Sequence, residues 1–163
     1  MEKVYLGFKL NNKTFGVAAE KIVRVSQIVE ITSIPNAPET VMGIINVMGE
    51  VVPVIDLRKR LNLPPRPVSL SDYLIIAKNK NQTVSFVVDA IIGLIPVIQN
   101  NDVSLKNIIH NSPLIERVIK ENDEFILIID SEKLINNQES QQIQEMVESE
   151  NGTIYTTFSK ATA

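Results

Sequence analysis

The chain of 163 residues contains no cysteine, no tryptophan and only one histidine, His110. Without cysteine it can form neither disulfide bonds nor thiolate metal sites, and it has no thiol nucleophile. A Ser-His-Asp triad or a multi-histidine metal site would have to be built around His110 alone. That residue lies in the polar stretch 101–112, which is typical of a solvated loop, and no Gly-rich phosphate cradle is present. We therefore expect neither an enzyme nor a bound cofactor or metal.

The chain also lacks long apolar runs and an excess of positive charge. Its longest apolar runs, such as Val51 to Ile55 and Phe125 to Ile129, are far shorter than the roughly 20 residues of a membrane-spanning helix. No signal peptide is visible at the start. The net charge is −3 and aromatic residues make up 5% of the chain, which argues against binding to nucleic acid. We expect a cytoplasmic protein, with a nucleic-acid-binding pair of small barrels only as a minor alternative.

What the sequence does have is a succession of short segments with strand periodicity. Val4, Leu6, Phe8 and Leu10 alternate along one face, and Asn11-Asn12-Lys13 then supplies turn residues, so the chain opens with a β-hairpin. Comparable segments recur along the chain and predict roughly nine or ten strands in barrels or a sandwich. The proline-rich linker at 62–67 indicates two small barrels rather than one large barrel.

Two segments carry more specific expectations. Val23, Val25, Val29 and Ile31 share the period of one face, which predicts a single longer strand. The apolar segment Ile91 to Ile98 contains Gly93 and Pro96, so we expect it to bend.

Three apolar runs end in an aspartate, at Asp56, Asp89 and Asp130. Three carboxylates could bind a divalent cation, and two could form an acid/base pair. The simpler interpretation is helix capping, because each aspartate precedes a stretch able to form a helical turn. We favour capping at all three positions. The basic cluster Arg58-Lys59-Arg60 is interpreted as a solvated helix face rather than a nucleic-acid patch.

The composition changes near residue 136, which divides the chain into a domain at 1–135 and a polar helix or tail at 136–163. Ile143, Met146 and Val147 have the spacing of one face of an amphipathic helix. The residues from Asn151 onward are polar apart from a few, among them Tyr155 and Phe158. They are either a disordered tail or a peptide that folds on a partner.

One stretch is specific enough to suggest a family. Gly43-Ile44-Ile45-Asn46-Val47-Met48-Gly49, continued by Val51-Val52-Pro53-Val54-Ile55 and Asp56-Leu57-Arg58, resembles the signature of the CheW family. Its flanks are similar as well: Leu6 to Leu10 leads to Phe15-Gly16-Val17, and further matches follow at Ile34 to Pro38, Val84 to Asp89 and Phe125 to Leu134. The resemblance covers about residues 4 to 135.

The resemblance implies a mostly β fold of two packed five-stranded SH3-like barrels with short helices and a C-terminal tail. It implies a scaffold that joins chemoreceptors, the methyl-accepting chemotaxis proteins, to a CheA-type histidine kinase. The kinase regulatory domain would bind through barrel-end contacts, and the cytoplasmic receptor tip through a groove between the barrels. The partner-binding residues implied by the match are Ile22, Arg24, Val25, Gly43, Asn46, Met48 and Gly49, with Val84, Phe86 and Val88 on a second wall of the groove.

The sequence departs from the family pattern at two places. Met48 stands where the signature usually has an arginine, and Arg24-Val25 stands where the family commonly has Glu-Ile. These changes are either neutral drift on an exposed turn or a sign of altered partner choice, because charge patterns at interfaces govern specificity. An adaptor of a non-chemotaxis array, serving motility or development, is therefore an alternative. For apolar members of the predicted site, core packing is a further alternative.

Overall fold

The structure is a computed structural model that describes residues 2–98 and 112–149. His110 and most of the polar stretch 101–112 lie outside the described residues, as does the tail beyond residue 149. The described residues form ten strands, which are β1 (Glu2–Leu10), β2 (Lys13–Ala18), β3 (Ile22–Gln27), β4 (Val41–Val47), β5 (Glu50–Ile55), β6 (Tyr73–Lys78), β7 (Thr83–Val88), β8 (Ala90–Ile98), β9 (Ile115–Glu121) and β10 (Glu124–Ile129). The helices are α1 (Leu57–Arg60) and α2 (Asn137–Ser149), with 3₁₀ turns at Ala19–Lys21 and Ser131–Lys133.

The ten strands form two five-stranded sheets. The first sheet has the order β8-β1-β2-β10-β9 and the second has the order β3-β6-β7-β5-β4. In each sheet the third and fourth strands are parallel, β2 with β10 and β5 with β7, while the remaining neighbours are antiparallel. The predicted mostly β fold with two five-stranded units is confirmed, and the two units share one pairing pattern.

The proline-rich linker does not separate the two sheets. It follows α1 and precedes β6, so it connects strands of the same second sheet. The chain passes between the sheets at two other places, the turn Ala19–Lys21 and the single residue Asp89 between β7 and β8. The first sheet therefore contains the first two and the last three strands of the described chain. The second sheet contains the five consecutive strands β3 to β7.

Several strands bury side chains on both faces of their sheet. Leu6, Phe8 and Leu10 belong to a large apolar cluster that both sheets and α2 share. Tyr5, on the opposite face of the same strand, belongs to a second cluster with residues of β8, β9 and β10. A third cluster lies on the inner face of the second sheet. Each sheet therefore encloses one apolar cluster of its own, and the large cluster lies between the two sheets. This arrangement explains why strands such as β1 are buried on both faces over most of their length.

The shared core is centred on stacked aromatic rings. The ring of Phe8 lies 5.7 Å from that of Phe15 and 5.6 Å from that of Phe86, measured between centroids. Phe8 and Phe15 belong to the first sheet and Phe86 to the second, so these contacts join the two sheets. Aromatic pairs at such distances stabilise a core beyond the area that they bury.

One expectation about the strands is wrong. β3 ends at Gln27, and Val23, Val25 and Val29 are exposed rather than forming a buried face, because β3 is an edge strand of the second sheet. β8 is one strand from Ala90 to Ile98, and its pairing with β1 shifts register at Gly93, opposite Gly7 and Phe8. A bulge of this kind bends a strand, which agrees with the bend expected in this segment. Pro96 is tolerated because β8 is also an edge strand of its sheet.

Candidate partner-binding surface

The tip of the β4–β5 hairpin presents an exposed methionine. Met48 and Gly49 have φ angles of 51° and 87°, the left-handed pair of a type I′ turn. The side-chain oxygen of Asn46 accepts a hydrogen bond of 2.8 Å from the Gly49 backbone N–H and steadies the turn. Met48 is 90% exposed, which places a large apolar side chain at a strained position with few contacts. Gly49 is explained by its turn geometry alone, since a Cβ added to it would meet no atom within 4 Å.

Three of the predicted residues lie together beside this hairpin. Arg24, Asn46 and Met48 line one depression of about 110 Å³. Arg24 comes from β3 and Asn46 from β4, the two edges of the second sheet, so the sheet curls until its edges meet. The backbone bridge from Thr32 to Ile44, with two hydrogen bonds of 2.9 Å, closes the same seam. The depression therefore combines a guanidinium, an amide and an exposed thioether.

Other predicted residues serve the fold. Gly43 is buried, and a Cβ there would lie 2.3 Å from the carbonyl oxygen of Thr32, so glycine is needed for the seam to close. Ile22 packs against the shared core, whereas Val25 is exposed on β3.

Val84, Phe86 and Val88 do not form the wall of a groove. All three side chains are 0% exposed and belong to the shared core. Their strand β7 is the central strand of the second sheet, and its outer face is covered by the first sheet. The expectation that these residues contact a partner is therefore corrected to core packing.

Sequence reasoning missed two exposed apolar regions. Val29, Val68 and Leu70 line a depression of about 340 Å³ that shares Val29 with the depression beside Met48, and Leu70 is 91% exposed. On the first sheet, Leu94 and Ile98 are exposed on β8. A leucine between two serines at 69–71 was a usable signal, whereas the exposure of β8 depends on its place at the edge of a sheet.

The three aspartates have different roles. Asp56 accepts from the Lys59 backbone N–H at 3.2 Å and Asp130 from that of Glu132 at 3.0 Å, so capping is confirmed at both. Capping is wrong for Asp89, because β8 follows it directly. Among the described residues, no cluster of three or more histidines, cysteines or acidic residues is arranged to hold a metal ion.

Asp89 is instead the centre of an ion-pair network at the crossing between the sheets. Arg58 donates to both of its carboxylate oxygens, at 3.0 and 2.8 Å, and Arg66 donates to it at 2.6 Å and to Asp72 at 2.7 Å. The Asn11 backbone N–H adds a bond of 2.9 Å. Burial by itself raises the pKa of Asp89, but the bonds from Arg66, Asn11 and Arg58 outweigh it and hold the pKa below its ordinary value.

The basic cluster on α1 is not a solvated helix face. Arg58 pairs with Asp89, and Arg60 pairs with Glu139 of α2 and donates to the Leu134 carbonyl at 3.0 Å. Only Lys59 of the three is exposed. The arginines of α1 therefore hold the linker, the sheet crossing and α2 together, and they are not available as a nucleic-acid patch.

Comparison with known proteins agrees with this architecture. A family model described as the CheW-like domain matches residues 4–139. The chain belongs to the CheW-like family. The chemotaxis protein CheW of Bacillus subtilis is 28% identical over 136 residues, covering 82% of this chain and 87% of that protein, and CheW of Thermotoga maritima is 25% identical over 131 residues, covering 80% and 85%. The crystal structure of the scaffolding protein TtCheW from Thermoanaerobacter tengcongensis superimposes with a TM-score of 0.77 at 32% identity, covering 85% of this chain and 97% of that one.

Membership of the CheW-like family confirms the mostly β fold and the expectation that the chain is a non-catalytic scaffold. None of the described helices has the length and apolar character needed to cross a membrane. The family match ends at residue 139, so most of α2 lies beyond it.

Proposed function

We propose that this chain is a chemotaxis scaffold that couples the cytoplasmic tips of chemoreceptors to the regulatory domain of a CheA-type histidine kinase. The observation that carries the proposal is the two-sheet CheW-like architecture, in which the family signature from Gly43 to Arg58 forms the β4–β5 hairpin, with its exposed tip, and the start of the ion-paired α1. Such a scaffold works in the cytoplasm and reaches the membrane only through the receptors it binds. It needs surfaces for two partners and no reacting groups.

The depression beside Met48 supports the receptor contact. Arg24 supplies a positive charge, and Met48 supplies a flexible apolar side chain of the kind common at adaptable binding surfaces. A receptor helix that places a carboxylate opposite Arg24 and an apolar residue opposite Met48 would complement both. Because the Met48 position is apolar, the receptor tip would not need an acidic residue there.

The neighbouring depression supports the kinase contact. Leu70 and Val68 expose apolar surface at one end of the second sheet, on the segment between the linker and β6. An exposed cluster of this kind is the feature of a monomeric protein that most often marks an interface. The kinase regulatory domain would bury Leu70 there, next to but separate from the receptor.

Arg24 and Met48 also favour the alternative of a non-chemotaxis array with other partners. Both side chains are exposed, so their departure from the family pattern changes the surface rather than the core. An array whose receptors match this charge pattern would use the same scaffold mechanism.

A pull-down with cognate kinase and a receptor-tip fragment tests the proposal. The wild-type chain should capture both partners. Met48→Arg should weaken receptor capture and leave kinase capture unchanged, whereas Leu70→Ser should do the reverse. Lys120→Glu, at an exposed position of β9 in the first sheet, is the matched control and should change neither. Failure of both the wild type and Met48→Arg to capture the kinase would overturn the scaffold proposal.

A further inference from the structure

The β9–β10 hairpin of the first sheet is the counterpart of the β4–β5 hairpin of the second sheet. β5 and the residue after it read Glu-Val-Val-Pro-Val-Ile-Asp at 50–56, and β10 and the residue after it read Glu-Phe-Ile-Leu-Ile-Ile-Asp at 124–130. β10 lies between antiparallel β9 and parallel β2, just as β5 lies between antiparallel β4 and parallel β7. The two strands therefore correspond residue by residue.

The turns beside these strands correspond as well. The β1–β2 turn reads Asn-Asn-Lys-Thr at 11–14, and the β6–β7 turn reads Lys-Asn-Gln-Thr at 80–83. In each hairpin the threonine pairs with a lysine of the preceding strand. Lys13 therefore stands in the first sheet where the second sheet has Gln82.

On the second sheet, α2 lies over the face that this hairpin and this turn form. The apolar side chains that line the groove between α2 and the sheet come from both elements, namely Val51, Pro53, Ile143 and Val147. Gln82 donates a hydrogen bond to the Ser140 hydroxyl across the groove. Pro53 is buried and Val51 is half-buried. An amphipathic helix is therefore an element that covers a face of this kind.

The corresponding face of the first sheet is open. Phe125 and Leu127, the counterparts of Val51 and Pro53, line a depression of about 370 Å³ together with Asn12 and Lys13, which we call the Phe125 depression. No helix among the described residues contributes to its lining. Phe125 is 52% exposed and Leu127 is half-buried, so each is more exposed than its counterpart under α2. Exposed apolar surface of this kind is a feature of protein interfaces.

Lys13 gives the Phe125 depression a charge that its counterpart lacks. Glu124, also in the lining, accepts a hydrogen bond of 2.9 Å from Lys9 and is thereby neutralised. Lys13 is exposed, and within residues 2–98 and 112–149 no acidic side chain pairs with it. A helix placed as α2 is placed on the second sheet would bring the position of Ser140 next to Lys13. A carboxylate at that position would complement the ammonium group.

We propose that the Phe125 depression binds an amphipathic helix of a partner protein, in the way that α2 lies on the second sheet. Two apolar side chains four positions apart pack against Phe125 and Leu127, and an acidic side chain one turn earlier pairs with Lys13. The depression belongs to the first sheet, whereas the depressions beside Met48 and Leu70 belong to the second. It is therefore a third binding surface, and it does not depend on the identity of the other two partners.

The probe for this site is a synthetic helix with the sequence of α2. It comprises residues 137–149 with Ser140→Glu, which supplies the carboxylate. Gln138→Lys and Gln142→Glu, at two positions that are exposed on α2, are joined through their side chains by an amide bond. Because residues four apart are neighbours on a helix, this bridge holds the peptide helical.

NMR titration of the full-length chain with this peptide tests the proposal. We expect the peptide to shift the signals of Phe125, Leu127 and the Asn12 side-chain amide. The Gln82 side-chain amide should not shift, because α2 already covers its groove. Phe125→Ser should abolish the shifts at the other two residues. Leu94→Ser removes an exposed apolar side chain from β8 of the same sheet and should leave all the shifts unchanged.

A charge exchange tests the role of Lys13. The Lys13→Glu chain should bind the peptide about threefold more weakly, and a peptide with Ser140→Lys in place of Ser140→Glu should restore the affinity. Absence of shifts at millimolar peptide, shifts centred on Gln82, or equal binding of both peptides by the wild-type chain would each overturn the proposal. Shifts of the same signals when the chain alone is diluted would also overturn it, because a second copy would then be the occupant.

Discussion

At the scale of single residues, Met48 combines conformational strain with solvent exposure. A non-glycine residue in the left-handed region costs about 1–2 kcal/mol, and Asn is the residue that tolerates it best. The other tight hairpins follow this rule, with Asn11-Asn12 between β1 and β2 and Asn122-Asp123 between β9 and β10. A strained methionine that packs against little is better explained by binding than by folding.

Met48→Asn should therefore raise the free energy of unfolding by about 1 kcal/mol while weakening receptor capture. Urea denaturation measures the first effect and the pull-down measures the second. Met48→Asn lowering stability, or leaving receptor capture intact, would show that the methionine is retained for packing or by chance.

Asp89 is the second residue whose contribution to stability can be tested by substitution. Asp89→Asn keeps the shape of the side chain but removes the charge that Arg58 and Arg66 share, and it should lower the free energy of unfolding by about 1.5–3 kcal/mol. The matched control is Asp123→Asn, at an exposed turn position, which should change stability little. Equal effects in denaturant titrations of the two variants would rule out a special role for the network.

The three aspartates show which roles of a side chain can be predicted from local sequence and which cannot. Asp56 and Asp130 are each followed by a helical turn, so their capping role could be predicted from local sequence. The partners of Asp89 come from Asn11, Arg58 and Arg66, which are distant in sequence and meet only because the sheets pack together. No local pattern contains that information. Likewise, the alternation along β7 predicts a strand but does not say whether its outer face meets solvent or another sheet.

At the scale of elements, α2 is docked chiefly by the buried side chain of Ile143 and the carboxylate of Glu139, and Val147 and Ser140 add further contacts. Ile143→Ala should lower the free energy of unfolding by about 2–4 kcal/mol, because the side chain is buried in the shared core. It should also speed hydrogen exchange in α2 more than in the central strands. Gln142→Ala, on the exposed face of the same helix, is the control. Unchanged exchange in α2 would mean that the helix is held by other contacts.

Most strands could be predicted, but their assembly could not. Period-two alternation and turn residues identified the β1–β2, β4–β5 and β9–β10 hairpins, whose pairing is local. The parallel pairs β2–β10 and β5–β7 join strands far apart in sequence. The proline-rich linker suggested a boundary between the units because proline disfavours strand pairing, yet the boundary lies at Ala19–Lys21 and Asp89, where no compositional change marks it.

At the scale of the whole molecule, two carboxylates make stability depend on pH. Asp89 ties the sheet crossing to α1 and the linker, and Glu139 ties α2 to Arg60 and Thr40. Burial raises the pKa of Glu139, but its hydrogen bonds outweigh burial, so both carboxyl groups have lowered pKa values in the folded chain. Their contribution is therefore complete above the unfolded-state values of about 4 and is lost as the pH falls through the lower folded-state values.

Thermal unfolding measured between neutral pH and pH 3 should show this loss. The wild-type melting temperature should fall steeply below about pH 4, and the double variant Asp89→Asn/Glu139→Gln should start lower and fall less. Parallel curves for the two proteins would assign the acid sensitivity to other groups.

Co-sedimentation with receptor-bearing membranes tests whether this one small chain links both partners. A CheA-type kinase is mixed with such membranes, with and without the chain, and the kinase in the pellet is measured. We expect that kinase and chain sediment together, that little kinase sediments without the chain, and that Met48→Arg reduces the amount of both in the pellet. Kinase recovery in the pellet that does not depend on the chain would overturn the scaffold role.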